Sequence, residues 1–208
     1  MTERTAGVRA AKTSANRARM LAAAKELFIA RGYAATTMKA IAEQAGMAVQ
    51  SLYFTFATKR AILLELLDTE IAGDAEPVAT MDRPWFAEAV AAPPVEQIGL
   101  QVAAAARIHE RVAALLEVVR SAAATDSELA EIWRNNIAQR RAVQHRLVAE
   151  LAAKTSLREG ISIERGADIA LVLTAPETYG LLVGERGWSA REWREWVTGA
   201  LTEQLLGG

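Results

Sequence analysis

The sequence contains no cysteine. That absence excludes a disulfide framework, thiolate catalysis and cysteine-based zinc sites, and it suits a reduced, cytoplasmic setting. Proline is scarce, at five residues in 208, and aromatics make up 6%, whereas alanine abounds and 51% of residues are apolar. This balance favours helices over a sheet built from β-branched and aromatic residues. No stretch approaches the roughly 18 unbroken apolar residues of a membrane span, and the opening MTERTAGVRAAKTSANRAR lacks the apolar core of a signal peptide. The expected class is all-α, with no membrane partner. Catalytic patterns are missing too. His109 and His145 stand thirty-six positions apart, His109-Glu110 lacks the second histidine of a zinc-protease motif, and neither a glycine-rich phosphate loop nor a nucleophile elbow appears. An enzyme is therefore the weaker reading, with no catalytic residue, cofactor or metal expected.

What the chain does have is a division of charge. Residues 1–60 hold ten Lys or Arg against three Glu, a balance of +7, while the remaining fourteen basic and twenty-two acidic residues give −8. A basic end on a nearly neutral protein suggests a surface that meets a polyanion.

Helical spacing carries the rest. After a basic arm expected to be flexible over residues 1–14, Met20, Leu21, Ala24, Leu27 and Phe28 mark a first helix, which Gly32 closes. Thr36-Thr37 offers an N-cap for a second helix with Met38, Ile41, Ala42 and Ala45 on one face, ended by Gly46. A third, short helix spans about Ala48 to Phe54, and Thr58 caps a fourth containing Ile62, Leu63, Leu66 and Leu67. The turn-rich AGDAEPVATMDRP then separates residues 15–72 from a larger helical domain, 73–208. In that domain the periodicity predicts a short helix over Trp85–Ala92 and a long one from Val95 to about Ala124, broken near His109. A capping box at Thr125-Asp126-Ser127-Glu128 should open a helix reaching Lys154. A helix over Ile163–Val183 should kink at Pro176, and a second capping box at Ser189-Ala190-Arg191-Glu192 should open a last helix ending near Leu206.

A helix as short as the third is unstable alone. It becomes reasonable as the second member of a helix-turn-helix, braced by its neighbours through Leu52, Met47 and Phe56, with its outer face free to enter the major groove of DNA. Gly46 permits the tight turn. The spacing leaves Val49, Gln50, Ser51 and Tyr53 at or near the exposed leading portion, where a glutamine amide can read a base edge and hydroxyls can hold phosphates. Phe54 is open between packing and contact with DNA.

The run GYAATTMKAIAEQAGMAVQSLYFTFATKRAILLELL, Gly32 to Leu67, resembles the DNA-binding domain of the TetR family of transcriptional regulators. The shared features are Gly-aromatic after helix one, Thr-Thr at the N-cap, Ile-Ala-x-x-Ala-Gly, a short helix with Leu-Tyr, and a Lys just beyond it. The resemblance implies that Thr37 and Lys59 contact phosphates, that Tyr53 holds the backbone, that Val49, Gln50 and Ser51 face base pairs, and that Lys39 and Arg17 add backbone contacts. Thr55 takes a place often held by His or Tyr in a backbone-contacting role. Ala48 stands where a Ser often caps the recognition helix.

The resemblance further implies that the larger domain dimerises and senses a ligand. A twofold dimer would place two readers about 34–36 Å apart, one turn of DNA. The last two helices are the expected interface, through Ala170, Leu173, Thr174, Glu177, Leu181, Trp193, Trp196, Val197 and Leu201. An effector pocket among the middle helices would draw on Trp85, Phe86, Ile98, Val102, His109, Leu116, Val119, Trp133 and Ile137, a supply suited to a small apolar or aromatic molecule. The expected function is a homodimeric, ligand-responsive regulator of the repressor type that binds a pseudopalindromic operator. The rival is a constitutive architectural DNA-binding protein with no effector.

Overall fold

The computed structural model describes residues 2–73 and 78–206, with residues 2–10 described through their backbone alone. No strand occurs among the described residues. The chain divides into two compact units, Met1–Thr69 and Glu70–Gly208.

The first unit begins with α1 (Thr2–Ala35), which changes direction at Gly32, where φ is 76°. The residues expected to form a flexible arm are helical here from Thr2 onward, in keeping with their content of Ala, Arg and Lys. α2 (Met38–Ala45) follows, with the Thr37 side chain accepting from Ala40 N–H and Gly46 closing the helix at φ 66°. α3 (Val49–Phe56) starts without a side-chain cap at Ala48, and α4 (Lys59–Ala72) starts with Thr58 accepting from Ala61 N–H. Met20, Ala24, Leu27 and Phe28 of α1, Ile41 of α2, Leu52 and Phe56 of α3, and Ile62, Leu63 and Leu66 of α4 are all buried. Two turns of α3 thus gain from tertiary burial the stability that their length denies them.

The second unit contains α5 (Pro84–Ala91), α6 (Pro94–Ala122), α7 (Ser127–Lys154), α8 (Ile163–Leu173), the single turn α9 (Pro176–Tyr179) and α10 (Ala190–Leu206). α9 runs directly into a π-helical segment, Gly180–Glu185. The core gathers Ile98, Val102, Ala106, Val148, Leu151, Ala170, Tyr179, Trp193, Val197 and Leu201. A smaller cluster joins Phe86, Ala89 and Leu147. Buried Gln97 ties α6 to α7, and Lys154 links the pair to Ala92, just past the end of α5. Gln97 donates to Leu147 O at 2.7 Å, while Lys154 donates to both Gln97 Oε1 and Ala92 O, also at 2.7 Å.

Three local expectations are corrected. α6 is unbroken at His109, whose imidazole lies 2.8 Å from Thr174 O and does not disturb the helix ladder. The cap of α7 is Asp126, which accepts from Glu128 N–H and Leu129 N–H, so Thr125 does not form the expected box. The predicted Ile163–Val183 helix stops at Leu173 and resumes at Pro176, since the ring of Pro176 has no N–H to continue the ladder. The box at Ser189 forms fully: Ser189 N–H donates to Glu192 Oε2 at 2.8 Å and Glu192 N–H to Ser189 Oγ at 3.2 Å.

Candidate nucleic-acid interface

α3 is built as a wedge with one anchored face. Leu52 and Phe56, four residues apart, point into the core, with relative exposures of 0% and 5%. The opposite face presents Gln50, Ser51, Tyr53 and Phe54, all exposed, with Tyr53 at 52% and Phe54 at 94%. Val49 is half-buried, and so is Thr55, whose hydroxyl donates to Ser51 O at 2.8 Å within the helix.

The turn before α3 depends on Gly46. Its left-handed conformation suits glycine, and a Cβ there would stand 3.2 Å from Arg19 Nη2, which donates to Ala45 O at 2.6 Å. The turn after α3 is tighter still. Ala57 has φ 57° and ψ −47°, and Thr58 N–H bonds to Phe56 O at 2.5 Å, the geometry of a γ-turn with its central residue in a strained region. This bend brings the start of α4 back under the corner between α1 and α2.

At that corner the ammonium of Lys59 donates to Tyr33 O at 2.7 Å and Thr36 O at 2.9 Å, and lies 4.1 Å from the centre of the Tyr33 ring. Thr36, itself buried, donates to Gly32 O at 2.8 Å and Leu27 O at 3.1 Å. Lys59, expected as a phosphate contact, is thus committed to bracing the protein. Arg17 is committed likewise: its Nε donates to Glu65 Oε1 at 2.5 Å, its Nη2 pairs with the other carboxylate oxygen, and the guanidinium stands 4.6 Å from the centre of the Phe56 ring. It backs the anchored side of α3 instead of reaching outward. Thr37 and Lys39 do face solvent, Lys39 with only a 3.8 Å contact to Glu43 on an open helix face.

Residues 20–66 match the family profile described as bacterial regulatory proteins, tetR family. Over this segment the chain resembles the tetR family. The N-terminal unit is accordingly a helix-turn-helix DNA-binding domain of transcriptional regulators. No curated protein matches the chain. Among solved structures it is similar to the MbdR regulator from Azoarcus sp. CIB, with a TM-score of 0.70 at 18% identity over 92% of this chain and 99% of that one. NalD, the secondary repressor of the MexAB-OprM multidrug efflux pump in Pseudomonas aeruginosa, gives 0.67 at 18% identity over 93% and 98%. A protein from Saccharomonospora viridis in complex with choline gives 0.67 at 18% over 92% and 98%. At these identities the likeness shows the fold that this chain shares with them.

The second unit holds a cleft of about 660 Å³ formed by α6, α7, α9 and the π-helical segment. Of the residues expected to line a pocket, His109, Leu116 and Trp133 do so. Trp85 and Phe86 belong to the small α5–α7 cluster, Ile98, Val102 and Val119 are fully buried, and Ile137 lies half-buried outside the cleft. In their place stand Glu110, Glu117, Glu177, Tyr179, Leu181 and Glu185. Arg120 pairs with Glu117 at 2.7 Å and holds that carboxyl below its usual range, and Arg140, 5.4 Å from the centre of the Trp133 ring, reaches Glu177 at 3.4 Å. Glu110 and Glu185 have no ion-pair partner among the described residues.

His109 forms the inner wall. Its Nε2 lies 2.8 Å from Thr174 O, and since a carbonyl only accepts, Nε2 carries the proton and Nδ1 is an acceptor. Burial pushes the imidazole pKa down to about 4, so the ring is neutral.

Most of the expected dimer residues are already used within the chain. Ala170, Trp193, Val197 and Leu201 are fully buried, and Thr174 is a buried hub that also donates to Ala170 O at 2.7 Å. Leu173 is half-buried against the core and Glu177 lines the cleft. Leu181 and Trp196 remain open, at 51% and 42%, as does Val172 at 63%. A stripe of apolar residues on a helix is the same in sequence whether it meets its own chain or another. Phe54 and Val172 are exposed as well, and no periodic signal in the sequence separates them from core.

Proposed function

We propose that the chain is a homodimeric, one-component transcriptional regulator of the repressor type, which binds a pseudopalindromic operator through paired α3 helices and releases it when a small molecule occupies the second unit. The observation that carries the reading is the two-sided build of α3. Leu52 and Phe56 fix the helix, while Gln50, Ser51 and Tyr53 stand free to face base edges and phosphates. Thr37 and Lys39 add phosphate contacts from α2. Val172, Leu181 and Trp196 supply the apolar part of the dimer interface in place of the buried residues first assigned to it.

The effector site is the cleft bounded by His109, Trp133 and Tyr179. Its carboxylates favour a cationic group over the small apolar or aromatic molecule that the sequence suggests. The S. viridis protein of the same fold is known in complex with choline. By linkage, an effector that prefers one dimer conformation lowers operator affinity by the ratio of its affinities for the two conformations. Sedimentation of the full chain with duplex DNA tests the reading: two chains should travel with one duplex. Titration with primary alkylamines of increasing chain length should then free the DNA and raise the melting temperature, whereas alkyl carboxylates should do neither. A single chain per duplex, or release by carboxylates, would count against it.

A further inference from the structure

Phe54 is the most exposed of the large hydrophobic side chains among the described residues, at 94%. The α3 anchor is complete without it, since Leu52 and Phe56 fill the inward positions. Gln50 lies four residues before it, one turn away on the same exposed face. An isolated surface aromatic needs no explanation, but this one stands on the face that the helix-turn-helix reading turns toward the major groove. The groove floor offers one apolar group, the C5 methyl of thymine. Four residues advance a helix by about 6 Å, and base pairs are stacked about 3.4 Å apart. A side chain one turn beyond Gln50 therefore falls one to two base pairs from the base that Gln50 meets.

We infer that Phe54 is a base-reading residue, packing its ring on the methyl of a thymine one or two base pairs from the adenine that the Gln50 amide engages. The inference rests on α3 being the DNA reader and adds which chemical group it recognises. Selectivity at that position comes from contact with a methyl group and not from hydrogen bonding. Deoxyuridine, which keeps the base pair and the phosphate and lacks only the methyl, isolates the contact.

The test uses the full-length protein and a symmetric duplex recovered by selection from a random pool, with each thymine replaced in turn by deoxyuridine. One thymine per half-site should weaken binding about fourfold when replaced, the worth of one buried methyl at ~0.8 kcal/mol, and replacement in both half-sites should weaken it about sixteenfold. In Phe54→Ala the thymine and uridine duplexes should bind alike. Gln50→Ala should keep the methyl effect while losing preference at the neighbouring adenine. Because Phe54 lies outside the core, its alanine variant should keep the far-ultraviolet circular dichroism of the parent. The inference is overturned if no thymine responds to loss of its methyl, if Phe54→Ala still distinguishes the two bases, or if Phe54→Ala changes the sedimentation of the free protein and not the base preference. Failure to select any sequence would instead remove the reader assignment itself.

Discussion

Replacing Lys59 with methionine deletes an ammonium while keeping a straight apolar stem, and the structure states what should be lost. Two hydrogen bonds, to Tyr33 O and Thr36 O, disappear together with the contact over the Tyr33 ring. Hydrogen bonds to charged groups contribute about 1.5–3 kcal/mol each. Lys59 is half-buried, so solvent screening reduces each to about 1 kcal/mol, and the ring contact adds about 0.5–1 kcal/mol. The expected loss is about 2.5–3 kcal/mol, concentrated at the corner between α1 and α2. All five tryptophans lie at or beyond Trp85, so their fluorescence does not report this unit. Hydrogen–deuterium exchange read by mass spectrometry on peptides covering residues 33–46 does. Exchange there should accelerate about 60- to 140-fold, from a tenfold change per 1.4 kcal/mol. Operator binding supplies the complementary reading. A phosphate contact contributes about 0.9 to the slope of log affinity against log salt, and a bracing lysine contributes nothing to it. Unchanged exchange together with a slope reduced by about 0.9 would refute the bracing role and restore Lys59 as a phosphate ligand.

Lys39 should behave in the opposite way: Lys39→Ala should lower the salt slope by about 0.9 and leave unfolding in urea unchanged, because its side chain is 80% exposed. Ala57→Gly should stabilise the first unit by about 1 kcal/mol, seen as slower exchange over residues 52–62, since glycine relieves the positive φ of the γ-turn; faster exchange would show that the turn is not strained. His109 should make the second unit acid-sensitive. Its folded pKa, about 4, lies below the ordinary 6.5, so the unfolded chain binds a proton that the folded chain refuses between those values. The stability it contributes is complete above about pH 6.5 and falls as pH drops toward 4, by up to about 3 kcal/mol. His109→Gln, whose amide can still donate to Thr174 O, should flatten that decline in urea unfolding followed by tryptophan fluorescence, which Trp193 reports from 5.9 Å away. An equally steep decline in the variant would place the acid sensitivity elsewhere.

The parts of the fold legible in the sequence are those with local causes. Thr37, Gly46, Thr58 and the Ser189–Glu192 box act within a few residues of themselves, and the helices they start or stop were readable from spacing alone. The Leu52–Phe56 anchor of α3 was readable for the same reason. What escaped depends on partners distant in the chain. Arg17 meets Glu65 forty-eight residues away, Lys59 meets Tyr33 twenty-six residues away, and His109 meets Thr174 sixty-five residues away. No periodicity records such pairings, so two lysine and arginine side chains read as free cations are spent inside the protein. Similarly, α10 carries Trp193 and Trp196 three residues apart; one is fully buried and the other 42% exposed, and only packing tells them apart. Half of the cleft lining escapes for a related reason, because a proline break followed by a π-helical segment places Glu177, Tyr179, Leu181 and Glu185 where an unbroken helix would not.

Selection of bound duplexes from a random DNA pool by the full-length protein, at a stated salt concentration, tests the central claim most directly. Two α3 readers related by a twofold axis predict an enriched inverted repeat with half-sites about one helical turn, or a whole multiple of it, apart. Enrichment of a single unrepeated half-site, or no enrichment over the starting pool, would contradict the account.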